Sequence, residues 1–351
     1  MAATLDAFLN SYAYRADGIR PAVRTVVHQL TAAALEVRRI INQGPLEAEH
    51  RAKRGSNGQG DDQKGLDVLA DRIFLDACRE APVAAYASEE QENAQFLDET
   101  APVAIAIDPV DGSSNIDTNI SIGTIFSLLP GDLPLAGVPG SNPAALFLQP
   151  GNRQIAAGFF IYGPQLALVL TFGSGTHIFV HSARLGTFVQ MSESPTIPAR
   201  TQEFAINMSN YRHWDDGVRL YVDDCLKGSE GPREKDFNMR WNASMVAECY
   251  RILMRGGIYL YPGDDRKGYR NGRLRLVYEA NPISFLVEQA AGAATDTVNR
   301  ILDLVPESLH QRVPLVFGSA KEVARVSRYH TEPSLIAERA PLFGHRSLLR
   351  V

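Results

Sequence analysis

The feature that most constrains this chain is an apolar run, APVAIAID at residues 101–108, which is followed closely by a second aspartate, Asp111. Short apolar runs bounded by turn residues are typical of strands buried within a sheet. We expect this strand to stop at Asp108-Pro109, because proline cannot donate to a strand ladder. A carboxylate at the end of a buried strand is costly unless a partner compensates its charge. The sequence therefore predicts a polar site at this strand end.

Two interpretations of residues 108–115 (DPVDGSSN) stay open on the residues alone. The two aspartates and the serines could cap a tight turn. Alternatively, the carboxylates collect hard divalent cations such as Mg²⁺, while the backbone N–H groups of Gly112, Ser113 and Ser114 face a phosphate. In the second case one turn would hold both metal and substrate.

The first half of the chain is predicted to combine long helices with buried strands. Apolar residues recur near a 3.6-residue period from Pro21 to Gln43, with Gly44 suited to a C-terminal cap, and a second helix is expected over about 66–80. The polar, glycine-rich segment 47–65 between them is predicted to be a mobile loop. Residues 154–180 lack Asp, Glu, Lys and Arg. Since Gly163-Pro164 interrupts this run, it indicates two buried strands rather than a membrane span.

The second half alternates helix-like and strand-like patterns. NASMVAECYRILMRG and PISFLVEQAAGAAT are typical of helices, whereas GGIYLYP and LRLVYE are typical of strands, with Glu279 ending the last one. SESPTIPART at 192–201 is the predicted linker, and residues 131–150 an excursion between strands. We therefore expect an α/β fold of alternating helix and sheet layers in two fused subdomains, 1–191 and 192–335, followed by a tail at 336–351.

The charge and the cysteine content indicate which binding partners and which cellular compartment to expect. The 40 acidic and 35 basic residues give a net charge of −5, and the arginines form no stripe, which argues against nucleic acid as the main partner. The N-terminus lacks the pattern of a secretory signal. Cys78, Cys225 and Cys249 share no metal or redox spacing, so we expect buried free thiols in a reducing cytoplasm.

Several motifs together resemble one family. SEEQ (88–91), DPVDGSSNID with SIGTIF, LQPGN with AAGF, SMVAE with GGIYLYP, and RLRLVYEANP (273–282) are similar to the signature blocks of class I fructose-1,6-bisphosphatases, in the same order. The resemblance extends over about residues 5–330. It implies the sugar-phosphatase fold and hydrolysis of the 1-phosphate of fructose 1,6-bisphosphate. A carboxylate pair such as Glu89-Glu90 is usually a solvated surface feature when taken alone.

The resemblance also implies roles for individual residues. Two or three Mg²⁺ ions, or Mn²⁺ or Zn²⁺ in their place, would be bound by Glu89, Asp108, the Val110 carbonyl, Asp111 and Glu279. Glu90, helped by Asp67, would accept a proton from the attacking water, and Asp61 would join the site from the glycine-rich loop. Without the family, Asp67 is more simply an acidic residue near a helix start.

The second phosphate would be bound by a cluster in the second subdomain: Asn207, Tyr261 and Arg273, with Arg240 from a neighbouring subunit of a homotetramer. Met245 and Arg275 would contact or support the sugar. Two positions depart from the family pattern, because Arg273 replaces a usual lysine and Trp241 a usual tyrosine. Arginine can bind phosphate through two parallel hydrogen bonds, so the first change preserves the function.

Alternatives remain at the level of substrate and regulation. Sedoheptulose 1,7-bisphosphate is the alternative substrate, and a non-catalytic phosphosugar-binding protein is the alternative class. AMP-inhibited members carry a Gly-Thr-Gly-Glu-Leu-Thr stretch and a Lys-Tyr pair, where this chain has DGIRPAV (17–23) and Pro102-Val103. We therefore expect weak or absent AMP inhibition. The excursion at 131–150 lacks cysteine, so no thiol switch of the plastid type is expected.

Overall fold

The computed structural model of the protein describes residues 3–14, 18–43, 65–131 and 142–332. Four elements of the sequence analysis lie wholly or largely outside these ranges: Gly44, the glycine-rich loop with Asp61, the middle of the 131–150 excursion, and the tail at 336–351.

Three N-terminal helices form the first layer: α1 (Leu5–Ala13), α2 (Ile19–Gln43) and α3 (Gly65–Arg79). The buried positions of α2 include Val23, Val26, Leu30 and Val37, which lie along one face of the helix. Both predicted helices are confirmed. Helix α2 begins two residues before Pro21, so the proline lies in the first turn, where a missing N–H costs no helical hydrogen bond.

An eight-stranded sheet forms the second layer. Its strands are β1 (Val83–Ser88), β2 (Gln95–Phe96), β3 (Val103–Asp111), β4 (Ile122–Pro130), β5 (Ala156–Tyr162), β6 (Leu166–Thr171), β7 (Thr176–Ser182) and β8 (Thr187–Glu193). They are ordered β2-β1-β3-β4-β5-β6-β7-β8, with β1 and β3 parallel and the other neighbours antiparallel. The uncharged run 154–180 forms buried strands with a turn at Gly163-Pro164, as predicted, but it contains β5, β6 and most of β7 where two strands were expected. No helix in the described ranges is long and apolar enough to cross a membrane.

The second half of the chain adds four helices and a smaller sheet. The helices are α4 (Asp216–Leu226), α5 (Met245–Arg255), α6 (Asn281–Gln289) and α7 (Ala320–Thr331). The strands are β9 (Glu203–Ala205), β10 (Asn238–Met239), β11 (Ile258–Tyr261), β12 (Leu274–Arg275), β13 (Ala293–Thr295), β14 (Arg312–Val313) and β15 (Leu315–Gly318). Five of them form a sheet ordered β10-β9-β11-β15-β13, and β12 pairs with β14.

The elements form five layers: α1–α3, the large sheet, α5 with α6, the small sheet, and α4 with α7. In β3, Val103 and Ile105 pack in one core with α1, α2 and α3, whereas Ala104 faces another core. The opposite face of the large sheet shares a core with α5, α6 and one face of the small sheet. The other face of the small sheet packs on α4 and α7. Helix and sheet layers therefore alternate, as the sequence predicts.

The prediction that β3 stops at Asp108-Pro109 is wrong. The strand continues to Asp111, and its register against β4 shifts between Asp108 and Asp111. Proline is tolerated at such an irregularity because its missing N–H is not needed in the ladder. The Pro109 carbonyl instead accepts a hydrogen bond from Thr124 Oγ1 at 2.7 Å.

The assignment of LRLVYE as a strand is also wrong. Only Leu274 and Arg275 pair as a strand, and residues 276–280 form a π-helical turn that leads directly into α6. All five residues of this turn are buried. A segment that is buried on every side has no periodicity by which a helix could be told from a strand. Glu279 therefore lies on a helical turn and not at a strand end.

The predicted linker at 192–201 overlaps regular structure at its start, because Ser192 and Glu193 belong to β8. The remaining residues to Gln202 form no helix or strand.

Gly123 in β4 allows α5 to approach the large sheet closely. A Cβ at this position would lie 2.4 Å from the Phe160 carbonyl oxygen and within 2.9 Å of both Val246 methyl groups. We predict that Gly123→Ala lowers the free energy of unfolding by about 1–3 kcal/mol, because backbone and helix must move. Denaturant unfolding measures this change. Gly18→Ala is the control, since a Cβ there meets nothing within 4 Å; equal stabilities of the two variants would contradict the prediction.

Candidate metal and phosphate site

Three carboxylates from separate segments converge at one edge of the large sheet. Ligand oxygens of Glu89, Asp108 and Glu279 all lie within 4.8 Å of one another. Glu89 follows β1, and its N–H donates to the Ile107 carbonyl at 3.0 Å, which continues the parallel pairing and sets Glu89 beside Asp108. Glu279 approaches from the π-helical turn.

This convergence raises the pKa of the buried members. Burial is the main cause for Asp108, and the charges of Glu89, Glu279 and Asp111 raise its pKa further. Burial also raises the pKa of Glu279, followed by the charge of Glu89. An all-oxygen donor set with excess negative charge is what a hard divalent cation requires. The residues present therefore fit a metal site.

Asp111 lies at the N-terminus of α5. Its Oδ2 accepts the Val246 N–H at 3.0 Å, so the carboxylate receives one of the N–H groups that a helix start leaves without helical partners. Burial raises the pKa of Asp111 to about 6, against the lowering effect of hydrogen bonds from Val246, Met245 and Ser244. Helix α5 thus stabilises the charged form of a carboxylate that burial disfavours.

Arg275 supplies positive charge beneath the cluster. Its side chain is almost fully buried, and its Nε lies 3.8 Å from Glu89 Oε1. Its backbone N–H donates to Glu279 Oε2, which fixes the glutamate within the π-helical turn. One buried arginine does not balance the four carboxylates Glu89, Asp108, Asp111 and Glu279 in their ionised forms.

A cleft of about 370 Å³ opens above these groups. Its lining brings together most of the residues predicted from sequence: Asp67, Glu89, Glu90, Asp108, Val110, Asp111, Gly112, Ser113, Ser114, Tyr261, Arg273, Arg275 and Glu279. Asp67 lies in the first turn of α3, as its position near a helix start suggested, but it is only 2% exposed. Because it is buried and faces the cleft, it is not an ordinary surface carboxylate. Asp61 lies outside the described residues.

The cluster predicted for the second phosphate lines an adjoining hollow. Asn207, Tyr261 and Arg273 lie together there, and Tyr261 and Arg273 also line the carboxylate cleft. Burial raises the pKa of Tyr261, while the charge of Arg273 and its hydrogen bond to the hydroxyl act in the opposite direction. The two hollows therefore share a wall made of one tyrosine and one arginine.

Sequence reasoning missed four charged or amide side chains at these hollows. Asn210, Asp264 and Arg266 line the second hollow, where Asp264 forms an ion pair with Arg266, and Arg312 lines the carboxylate cleft. Arg266 and Arg273 both stack on the ring of Tyr269, with guanidinium carbons 4.5 and 4.8 Å from its centroid. The available signal was the stretch GDDRKGYRNGR at 263–273, whose basic residues directly follow a buried strand.

Three residues of interest do not line either hollow within the described part of the chain. Arg240 is half exposed, and its Nε lies 3.8 Å from Glu203 Oε1. Met245 is 2% exposed in the core, where it begins α5. Trp241 stacks on Tyr259 with 5.7 Å between ring centroids. The substrate contacts proposed for Arg240 and Met245 remain predictions.

The raised pKa of Asp108 predicts a pH-dependent cost in the metal-free protein. Below about pH 4 the carboxyl is protonated in both the folded and the unfolded chain, so it costs nothing. Above that pH the carboxyl ionises first in the unfolded chain. The free energy of unfolding then falls by up to about 1.4 kcal/mol per pH unit until the pH reaches the pKa of Asp108 in the folded state. We predict that Asp108→Asn, which can keep the acceptor for the Val110 N–H, removes this loss.

Denaturant unfolding in chelator between pH 5 and pH 8 tests this prediction. The stability advantage of Asp108→Asn over the unmodified protein should grow as the pH rises. Glu80→Gln, at an exposed glutamate, should follow the unmodified protein throughout. An advantage that is constant with pH, or absent, would contradict the electrostatic account.

Comparison with known proteins agrees with these observations. Residues 4–193 match the family described as fructose-1-6-bisphosphatase, N-terminal domain, and residues 197–331 match the corresponding C-terminal domain. A class 1 fructose-1,6-bisphosphatase of Rhizobium meliloti (strain 1021) is 63% identical over 99% of both chains. One from Azorhizobium caulinodans is 53% identical over 93% of this chain and 99% of its own. The holo-form crystal structure of Leishmania major fructose-1,6-bisphosphatase superposes with a TM-score of 0.86 at 28% identity, covering 95% of this chain and all of that one.

Proposed function

Because the chain belongs to the fructose-1,6-bisphosphatase family and hydrolyses fructose 1,6-bisphosphate, we propose that the carboxylate cleft cleaves the 1-phosphate while the adjoining hollow binds the 6-phosphate. The observation that carries this assignment is the shared wall of Tyr261 and Arg273. A bisphosphate needs two anion sites a sugar's length apart, one with metal-binding oxygens and one with basic side chains. The carboxylate cleft supplies the oxygens for metal ions, and the adjoining hollow supplies the basic side chains of Arg266 and Arg273.

The family is metal-dependent, and Mg²⁺ is the ion that we propose for this chain. Glu89, Asp108, Asp111 and Glu279 would hold two or three ions, with the Val110 carbonyl as a further oxygen donor and Mn²⁺ or Zn²⁺ as alternatives. Bound cations would offset the charge of the cluster and stabilise the charge that develops on the transferred phosphoryl group. Oxygen-only donors favour Mg²⁺ over softer ions.

Glu90 is the proposed general base. It lines the cleft next to Glu89, and Asp67 lines the same cleft from α3. A carboxylate in this position can accept the proton of the attacking water as the phosphorus–oxygen bond forms. The segment Gly112–Ser114 would hold the phosphate through backbone N–H groups and serine hydroxyls. Asp61 would complete the site from the glycine-rich loop.

The second hollow supplies binding energy for the uncut phosphate. Arg273 can donate two parallel hydrogen bonds to phosphate oxygens, and Asn207 and Tyr261 add neutral donors. We add Arg266, because its guanidinium stacks on the same tyrosine ring as that of Arg273 and lines the same hollow. Arg275 and Met245 would support the sugar between the two phosphates.

The remaining assignments concern assembly and location. We propose a homotetramer in which Arg240 reaches the active site of a neighbouring subunit, since its half-exposed side chain lies outside both hollows of its own chain. Cytoplasmic residence is supported by three buried free thiols, Cys78, Cys225 and Cys249, which suit a reducing compartment. The subdomain limits 1–191 and 192–335 are likewise proposals.

Sedoheptulose 1,7-bisphosphate is the less favoured substrate, because the similar proteins named above are all called fructose-1,6-bisphosphatases. A non-catalytic binding protein is disfavoured by the chemistry of the cleft. Such a protein would have no need for a converging set of buried carboxylates, which costs folding energy without a cation.

The first functional prediction concerns Glu90. We predict that Glu90→Gln lowers kcat for fructose 1,6-bisphosphate by about 10²–10⁴-fold, because the amide cannot accept the proton of water. Phosphate release is measured with Mg²⁺ and with chelator, in parallel on sedoheptulose 1,7-bisphosphate. Glu92→Gln, at an exposed glutamate two residues further on, should keep normal rates. Equal activity of Glu90→Gln and Glu92→Gln would refute the role of Glu90.

The second functional prediction concerns Arg273. Loss of a charged hydrogen-bonding group costs about 1.5–3 kcal/mol, so Arg273→Ala should raise KM for the bisphosphate by about 10–100-fold. Fructose 1-phosphate lacks the group that Arg273 would bind, so its kcat/KM should change little. Arg270→Ala, at an exposed arginine outside both hollows, is the matched control. A similar loss on both substrates would show that Arg273 acts on the cleft and not on the second phosphate.

A further inference from the structure

Asn115 is a buried residue of the 108–115 segment to which the proposed function gives no role. It is 5% exposed and lies in the 3₁₀ turn formed by residues 113–118. Its side-chain Nδ2 donates to two carbonyls of the second half of the chain, those of Asn242 and Ala243, each at 3.1 Å. A single side chain thus joins the phosphate-binding turn to the segment that precedes α5.

The segment bound by Asn115 has a strained backbone. Ala243 has φ of +56°, in the left-handed region that alanine rarely adopts. Such a conformation persists only when its surroundings determine it. Asn115 binds the carbonyl of the strained residue and that of the residue before it. Its two hydrogen bonds are therefore well placed to hold Ala243 in this conformation.

The strained residue fixes where α5 begins. Ser244 follows it as the N-cap, and its Oγ accepts the Ala247 N–H. Val246, in the same first turn of the helix, donates its N–H to Asp111. A Cβ on Gly112 would lie 3.5 Å from both Asn115 Nδ2 and Ser244 Cβ, so the two segments are in contact at the carboxylate that the helix binds.

We propose that Asn115 is a positioning residue for metal binding, which holds Ala243 in its left-handed conformation and thereby keeps the N-terminus of α5 hydrogen-bonded to Asp111. Loss of the two donors lets Ala243 relax to negative φ, and the start of α5 moves away from the carboxylate. Asp111 then loses the N–H groups that orient it toward a cation. The inference rests on the proposed function in one respect, the metal role of Asp111.

Binding of Mn²⁺ alone, measured calorimetrically without substrate, is the primary test. We expect Asn115→Ala to weaken Mn²⁺ binding by about tenfold, the lower end of what the loss of an outer partner of a metal ligand costs. Asn119→Gly is the matched control, because this exposed asparagine directly follows the same 3₁₀ turn and its φ of +58° suits glycine. Its Mn²⁺ affinity should stay within twofold of the unmodified protein.

Rescue by glycine separates this mechanism from a general loss of packing. Glycine adopts positive φ without strain, so Ala243→Gly needs no clamp to keep its conformation. In that background, Asn115→Ala should weaken Mn²⁺ binding by no more than about threefold, and the rate of phosphate release should recover in parallel. A general packing defect at Asn115 would instead weaken Mn²⁺ binding equally with alanine and with glycine at position 243.

Two outcomes would overturn the proposal. One is unchanged Mn²⁺ affinity in Asn115→Ala. The other is that Asn115→Ala lowers Mn²⁺ affinity equally whether residue 243 is alanine or glycine. The unmodified protein distinguishes these outcomes from failure of the proposed function. If it binds Mn²⁺ but releases no phosphate from fructose 1,6-bisphosphate, the function fails while the Mn²⁺ comparisons still decide the role of Asn115.

Discussion

The mutual repulsion of buried carboxylates is the constraint on which the rest of this structure depends. Asp108, Glu279 and Asp111 are all buried, and each has a pKa raised by that burial. A fold that only had to be stable would not bring them together. The parallel pairing of β1 and β3 and the π-helical turn before α6 supply the carboxylates, and the start of α5 donates a hydrogen bond to Asp111. These elements are arranged around a charge that a cation can compensate.

The two halves of the chain meet at this charge. The first half supplies Glu89, Asp108 and Asp111, whereas Glu279 and the buried Arg275 come from the second. The core shared by the large sheet, α5, α6 and the small sheet fixes the positions of these segments relative to one another. A metal ion bound between them would therefore stabilise their packing as well as the transferred phosphate, since ligands that bind only the folded state shift the folding equilibrium.

Much of this arrangement could be predicted from the sequence, for physical reasons that differ between elements. The long helix α2 was predictable because its buried positions recur with the helical period. The conflict between an apolar strand and Asp108 indicates that the carboxylate needs a partner, although a capped turn stays open on the residues alone. The segment 276–280 was misassigned because it is buried on every side, and burial removes the periodicity that separates helix from strand. The extension of β3 to Asp111 was missed because a register shift accommodates Pro109.

The contacts that tie the two halves together were beyond sequence reasoning because they join residues far apart in the chain. Asn115 and Ala243 are separated by 128 positions, and nothing in an alanine indicates a left-handed backbone. Arg266 is a different case: it lies close in sequence to Arg273, but its place beside that residue depends on a shared stacking partner, Tyr269. Local sequence signals identify groups with unusual chemistry, whereas the relative placement of those groups depends on how the layers pack. In this protein the chemistry of the cleft was therefore visible in single motifs, but its geometry follows from contacts between the two halves.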